Sequence, residues 1–473
     1  MLAELRGLNE ECGVFGIWGH PNPAAMSYYG LHALQHRGQE GAGIIVTDGT
    51  RLRAVKGEGL VNDVFNNGKL EKLEGHAAVG HVRYATSGGS GIENVQPLLF
   101  NSTTGGLAIA HNGNIVNATR LKRNLEQQGS IFQTTSDTEV LAHLLKKSNL
   151  ASFEDRAKQA LRLLDGAFAV VIMTEHAMYV AQDPQGMRPL SLGMLDGAYV
   201  VASETSAFDL IGAELVRSID PGELLIINDE GCRSERYVEK KDRAICTMEY
   251  VYFSRPDSDI DGINIHMARK RLGKQLAKEL TIDADVVTGV PDSSISAAIG
   301  FSEATGIPYE LGLIKNRYVG RTFIQPSQDL RERGVKMKLS PVRQVVKGKR
   351  VVMVDDSIVR GTTSRRIVKM LKDAGATEVH VVISSPPLKN PCFYGIDISS
   401  DSELIAANNT IDEMRELIGA DSLTFLSVEG MVEAIGRSDV EKNRGHCLAC
   451  FTGEYPTSIY ADTKLPHEKE LVR

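Results

Sequence analysis

Val351-Val-Met-Val-Asp-Asp-Ser-Ile-Val-Arg-Gly-Thr-Thr-Ser364 reads as a buried strand that runs into two adjacent carboxylates and then a turn of small residues. Lys349 and Arg350 precede the apolar run, and Ile367, Met370, Leu371 and Ala374 recur at i, i+3, i+4 and i+7, so the strand feeds an amphipathic helix. Gly375 ends that helix, and Val379-His-Val-Val-Ile383 is the next strand. This order puts the loop at the carboxyl end of a parallel strand, where open α/β sheets bind ligands. Gly361, Thr362 and Thr363 offer backbone N–H groups at a helix N-terminus, a place for a phosphate. Asp355 and Asp356 stand where they can accept hydrogen bonds from ribose hydroxyls or help hold a hard cation. The same order also serves in an ordinary α/β crossover, in which an Asp or Ser caps the helix.

At 473 residues the chain exceeds what one hydrophobic core supports, and two or three domains are expected. Lys and Arg number 53 against 60 Asp and Glu, a net charge of -7 with no block of one sign, which argues against general binding of nucleic acid or membrane surfaces. No apolar stretch has spanning length, and Met1 to Glu11 lacks a basic region followed by a long apolar one, so a cytoplasmic protein is expected. Six cysteines are too sparse for a disulfide scaffold in so long a chain, which leaves them for catalysis or metal.

Short β-like runs separated by Gly, Asn and Asp turns fill the first half: Gly43 to Val46, Ala77 to Val82, Leu107 to Ala110, Ala167 to Met173, Ala198 to Ala202 and Glu223 to Ile227. Helical patterns interleave around Tyr28 to His36, Ala118 to Gln128 and Asp137 to Lys147. The polar segment Arg233 to Arg243 reads as the domain boundary. Beyond it the pattern becomes helices alternating with parallel-type strands, such as His266 to Leu280 followed by Asp285 to Val290.

Cys12 sits in Glu10-Glu-Cys-Gly-Val-Phe-Gly-Ile-Trp-Gly-His20, and alone it reads as a small buried core residue. Its companions change that. Gln35-His-Arg-Gly38, His81-Val-Arg-Tyr-Ala-Thr86, His111-Asn-Gly-Asn-Ile115 and Thr135-Ser-Asp-Thr-Glu139 resemble, in the same order, the class II glutamine amidotransferase domain of the N-terminal-nucleophile hydrolases. The Val354 to Thr363 run resembles the phosphoribosyl-pyrophosphate motif in the version carried by the glutamine phosphoribosylpyrophosphate amidotransferases. Together the motifs cover the chain from Glu11 to Gly453.

The resemblance implies a mixed fold: an α+β Ntn-hydrolase αββα sandwich over 12–242, then an α/β type I phosphoribosyltransferase domain with a parallel sheet over 243–473. It implies that residues 1–11 are a propeptide, because the nucleophilic cysteine uses its own α-amine, of pKa about 8, as the base. By resemblance Arg83 pairs with the glutamine α-carboxylate, Asp137 takes the α-ammonium, and the Asn112 side chain and Gly113 N–H form the oxyanion hole. Taken separately, Arg83 and Asp137 read by default as members of surface ion pairs, and it is the joint match that favours the functional reading.

In the second half, Val290-Pro-Asp-Ser-Ser294 resembles the family's pyrophosphate loop, although Pro-Asp-Ser is also a routine turn. The resemblance implies magnesium at Ser293, Asp355 and Asp356, and donor binding by Asp355, Asp356, Ser357, Arg360, Gly361, Thr362 and Thr363. Lys315 to Lys338 carries seven Lys or Arg broken by Gly320, Pro326 and Gly334. Composition allows a solvated surface loop, and the resemblance makes it a mobile lid.

Cys447-Leu-Ala-Cys450, with Cys246 and Cys392, makes a four-thiolate site possible, and spacing alone separates neither zinc from iron–sulfur nor either from four unrelated buried thiols. The resemblance is to the propeptide-bearing type with a [4Fe-4S] cluster, in which Cys232 has no counterpart and is left as a free thiol. It further implies glutamine and phosphoribosyl pyrophosphate as substrates, homotetramers, and inhibition by purine nucleotides. Two rivals stand beside it. A glucosamine-6-phosphate type of amidotransferase would need sugar-isomerase domains, and Asp355-Asp356 argues against it; a non-enzymatic phosphoribosyl-pyrophosphate sensor would not need Cys12, Arg83, Asn112 and Asp137.

Overall fold

The computed structural model describes residues 12–84, 91–103, 105–316, 339–396, 398, 401–437 and 445–459. Residues 1–11, Ala85, Thr86 and most of the Lys315 to Lys338 segment lie outside that set. Strands between Gly13 and Arg236 form two sheets of seven and six strands, and the neighbouring strands of each pair for which a register is given run antiparallel. Alternation sets their two faces. Val14, Val79, Ala108, Ala110 and Val171 meet between the sheets. Phe15, Ile44 and Val82 face outward under the helices Pro23–Ala33 and Ser206–Ile211, while Ile109, Phe168 and Ile172 lie under Thr138–Lys147 and Phe153–Arg162. The layers are therefore helix, sheet, sheet, helix.

From Ala244 onward the organisation is different. Val286–Gly289, Arg350–Asp355, Glu378–Ile383 and Ser422–Phe425 form a parallel sheet in that order. Val352 and Val354 point to a layer built from Ile265–Glu279, Ile295–Thr305 and Val428–Ile435, whereas Val351 and Met353 point to Thr362–Asp373 and Ile411–Ile418. This two-sided burial is why the strand reads as an unbroken apolar run.

Two expectations need correction. The helix expected over Tyr28 to His36 spans Pro23–Ala33, with Pro23 in its first turn, and Gln35–Arg37 is a separate 3-10 turn. Part of the supposed boundary segment is an edge strand, Gly231–Arg236, paired with Glu223–Asn228. Its charged residues mislead because they face solvent and pair outward, Arg233 with Glu154 and Glu235 with Lys158.

Helices Ile265–Glu279 and Ile295–Thr305 approach backbone to backbone. A Cβ on Gly273 would lie 1.9 Å from the Ala297 carbonyl oxygen, and one on Gly300 2.0 Å from that of Lys270. Gly273→Ala should therefore force the helices apart and cost about 1–3 kcal/mol, read as a lowered melting temperature of the full chain. An unchanged melting temperature would contradict this packing.

Candidate functional site

Cys12 immediately precedes the Gly13–Trp18 strand, which pairs antiparallel with Ala77–Arg83 in the register Gly13 opposite Val82. That register carries Cys12 to Arg83 and Tyr84. The Cys12 thiol donates to the Tyr84 carbonyl (3.3 Å), and the Tyr84 N–H points back at Sγ (3.4 Å). Arg83 is 5 % exposed, at the strand end beside Gly41. Its parity is that of His81, whose Nε2 lies 3.1 Å from the His111 carbonyl on the other sheet. Burial pushes the His81 imidazole down to about 3, so this cross-sheet tie is made by a neutral ring donating from Nε2.

Asn112 and Gly113 lie within the strand Gly105–Ile115. Asn112 continues the parity of Ala108 and Ala110 and so faces the intersheet side, where its Nδ2 is buried without a hydrogen-bond partner. A buried amide donor left unpaired is costly, and here it stands free for a bound acceptor. Gly113 has φ +131°, and a Cβ there would meet the Ala167 carbonyl oxygen at 2.1 Å, so only glycine fits. Asp137 precedes the Thr138–Lys147 helix; its Oδ2 accepts from the Ile115 N–H (2.9 Å) and its Oδ1 is 3.8 Å from His111 Nδ1. The same helix begins at Thr138, whose hydroxyl meets both His111 Nδ1 (3.0 Å) and the Gln96 amide (3.2 Å).

The second site forms at the carboxyl end of the parallel sheet. Asp355 closes its strand and Asp356 follows, both buried. Ser293 donates its hydroxyl to Asp356, Ser294 donates to Asp355 (3.1 Å), and Ser357 donates to Asp356 (2.7 Å), so the two loops are bound together. Burial, and for Asp355 also the neighbouring Asp356 carboxylate, raises both carboxyl pKa values. Two adjacent buried carboxyl groups, with the Ser293 hydroxyl against one of them, supply oxygen donors of the kind a divalent cation takes. Arg269 lies behind them, pushed down to about 10 by burial, with its guanidinium anchored on the Tyr250 (2.9 Å) and Ser254 (2.8 Å) carbonyls.

Gly361 takes φ +74° and is the N-cap of Thr362–Asp373, so the loop turns sharply and leaves the Thr362 and Thr363 N–H groups at the helix start. A cavity of about 720 Å³ adjoins this turn, lined by Arg360, Gly361, Thr362, Arg365, Glu403 and Asn408 among others. It shares the loop but not the two Asp carboxylates. Arg360 pairs with Glu403 (2.9 Å).

The four sequence-selected cysteines are neighbours. Ala244–Cys246 and Gly445–Cys447 pair in parallel with Cys246 opposite Cys447. The Cys450 carbonyl accepts from the Lys389 (2.9 Å) and Asn390 (3.0 Å) N–H groups just before Cys392, and the Tyr394 N–H donates to the Cys392 sulfur (3.4 Å). Burial first, and then the nearby Cys392 sulfur, pushes the Cys447 thiol up to about 12; burial, with Cys447 and Cys392 beside it, also raises Cys450 well above the ordinary thiol value. Thiols so placed fit a group carrying compensating positive charge. Among the described residues no three His, Cys, Asp or Glu side chains close into a cage for one metal ion. Cys232 lies apart, half-buried on the edge strand, and none of the six cysteines is in a disulfide.

The charged residues that join the halves give no signal in the sequence: Arg188, Glu204 and Glu249 carry no local pattern, and nothing in Gln35-His-Arg-Gly38 marks Arg37 for its role. Arg37 donates to the Cys12 carbonyl (3.2 Å), to Glu204 and to Glu249 (2.6 Å).

Two family models match, a glutamine amidotransferase domain over residues 81–210 and a phosphoribosyl transferase domain over 259–391. The amidophosphoribosyltransferase of Bacillus subtilis strain 168 is 68% identical over 473 residues, 100% of this chain and 99% of that protein. That of Staphylococcus aureus strain Mu50 is 54% identical over 456 residues, 96% of this chain and 92% of that protein. The glutamine phosphoribosylpyrophosphate amidotransferase from B. subtilis complexed with ADP and GMP superposes with a TM-score of 0.93 at 68% identity, covering 96% of this chain and 100% of that one. A second solved structure, described as the allosteric regulatory enzyme of purine biosynthesis, gives 0.94 at 68% identity over 98% of this chain and 100% of its own. Two candidate sites in one chain, matched along its full length by such relatives, have one reading: the chain belongs to the amidophosphoribosyltransferase family, enzymes of purine biosynthesis that make 5-phosphoribosylamine, glutamate and diphosphate from glutamine, water and 5-phosphoribosyl diphosphate.

Proposed function

We propose that residues 12–242 run the glutaminase half-reaction and 243–473 the phosphoribosyl transfer, in a mature chain that starts at Cys12. The observation that carries the glutaminase reading is the buried Asn112 Nδ2, left without a partner on the intersheet side beside a position that only glycine can occupy. In this reading the Cys12 sulfur attacks the glutamine amide carbon and its proton moves to the freed α-amine of the same residue. Negative charge developing on the amide oxygen meets Asn112 Nδ2 and the Gly113 N–H, donors already fixed by the sheet. Arg83 and Asp137 hold the α-carboxylate and α-ammonium. The C–N bond breaks, ammonia leaves with the proton, and water releases glutamate from the thioester.

Ammonia then attacks the anomeric carbon of the donor, whose bond to diphosphate breaks. The 5-phosphate would sit on the N–H groups of Gly361, Thr362 and Thr363, with Ser357 and Arg360 flanking, and Asp355 and Asp356 would take the ribose side. Magnesium bound at Ser293, Asp355 and Asp356 would supply positive charge beside the departing diphosphate. Free ammonia is mostly protonated at neutral pH, so direct passage between the halves keeps it nucleophilic.

A [4Fe-4S] cluster on Cys246, Cys392, Cys447 and Cys450 would be a staple, since those residues join the segment after the first domain, the turn before Tyr394 and the C-terminal strand. Among the described residues no helix is long and apolar enough to cross a membrane, and a cytoplasmic homotetramer goes with the reading. Inhibition by purine nucleotides also goes with it, supported by the relative solved with ADP and GMP.

Active protein should begin at Cys12, and Cys12→Ala should lose glutamine-dependent synthesis while keeping ammonia-dependent synthesis. Intact mass with residues 1–11 retained in a fully glutamine-active sample, or loss of both activities in a folded Cys12→Ala protein, would overturn these roles. The purified chain should carry about four irons and four sulfides, and Cys447→Ser should yield little soluble, matured protein. Zinc in place of iron on elemental analysis, or a soluble and fully active Cys447→Ser protein, would refute the cluster.

A further inference from the structure

Four charged side chains, Arg37, Arg188, Glu204 and Glu249, lie almost fully buried where the two halves meet. Unpaired, such charges would be prohibitive, so their hydrogen bonds define where they can sit. Glu249 comes from the phosphoribosyltransferase half, three residues after Cys246. Its carboxylate takes both terminal nitrogens of Arg37 (2.6 and 3.1 Å), and Arg37 Nε holds the Cys12 carbonyl. The same carboxylate is 3.6 Å from Arg188 Nη1. Arg188 in turn donates through Nε to the Tyr394 carbonyl (3.1 Å).

Tyr394 belongs to a turn seated on the oxyanion strand. The Phe393 carbonyl accepts from Asn114 Nδ2 (2.9 Å), and a Cβ built on Gly395 would stand 3.5 Å from Gly113 Cα. One carboxylate of the second half therefore braces both parts of the first: the main chain of the nucleophile through Arg37, and the strand of Asn112 and Gly113 through Arg188 and the 393–395 turn. Glu204 adds a parallel link, accepting from Arg37, from the Arg255 N–H (2.9 Å) and from the Ser258 hydroxyl (2.7 Å).

We propose that Glu249 is a positioning residue for the glutaminase reaction, supplied by the other domain, which sets the alignment of Cys12 against its oxyanion hole. This rests on the reading of Cys12 as the nucleophile. Arg83 and Asp137, which would hold the substrate, stand on other elements, at the end of the Ala77–Arg83 strand and just before the Thr138–Lys147 helix. Loss of the brace should therefore lower turnover without loosening glutamine.

Glu249→Gln keeps the shape and removes the charge. In steady-state assays of the full holoenzyme, its glutamine-dependent kcat should fall at least about tenfold, with the KM for glutamine within about twofold. Ammonia-dependent synthesis should stay within about twofold of wild type, and capture of Cys12 by the electrophile 6-diazo-5-oxonorleucine should slow in parallel with kcat. Glu249→Asp, which keeps the charge at shorter reach, should recover part of the loss, and it carries the test if the Gln variant does not fold. A glutamine kcat within twofold of wild type, a rise in KM with kcat intact, or an equal fall of the glutamine and ammonia activities would overturn the proposal. Cys12→Ala serves as the control: glutamate release persisting there would mean that the reading of Cys12 had failed, a result distinct from any outcome at Glu249.

Discussion

The pairing of Gly13 with Val82 is the constraint on which the candidate glutamine site depends. Side chains on a strand alternate between faces, so a slip of one residue would turn Cys12 away from the intersheet side and separate it from Tyr84 and Arg83. Several features hold that register. Arg37 clasps the Cys12 carbonyl, the Val14 N–H is bound by the Ser203 hydroxyl (3.0 Å), and His81 ties the neighbouring strand to the opposite sheet at His111. Cys12 is therefore fixed although it stands at the very start of its strand.

The second half needs no such long-range arrangement at its core. Strand, carboxylates, turn and helix follow one another within Arg350 to Asp373, and the parallel sheet aims them at one edge. What is long-range is the joint between the halves. The apolar cluster there mixes Val116, Ala167 and Met187 with Phe393, Tyr394 and Cys447, and the buried ions run alongside. Cys392 and Cys447 thus pack close to the end of the Gly105–Ile115 strand, so a group held by the cysteines would also brace the strand that carries Asn112 and Gly113.

That distinction explains what could be read in the sequence. The Asp355-Asp356 loop was legible because the whole device is contiguous and its helix has a clean apolar stripe. Roles for Cys12, Arg83, Asn112 and Asp137 come only from their resemblance to a family, since each alone reads as core or surface. The facing of Cys246 and Cys447 was not legible, because it comes from two three-residue strands some two hundred positions apart. Arg188, Glu204 and Glu249 were silent for the same reason: isolated charges announce nothing until the fold buries them together. The Gly231–Arg236 strand looked like a linker because its charges satisfy an edge, not a core.

If the joint makes one machine of two sites, occupancy of one must be felt at the other. The direct measurement is the rate of glutamate release at saturating glutamine, with and without 5-phosphoribosyl diphosphate, in wild type and in Asp355→Ala and Asp356→Ala. The account predicts slow release from wild type alone, a rise of about tenfold or more when the donor binds, and a blunted rise in both variants. Release from wild type at the same rate with and without the donor would contradict it.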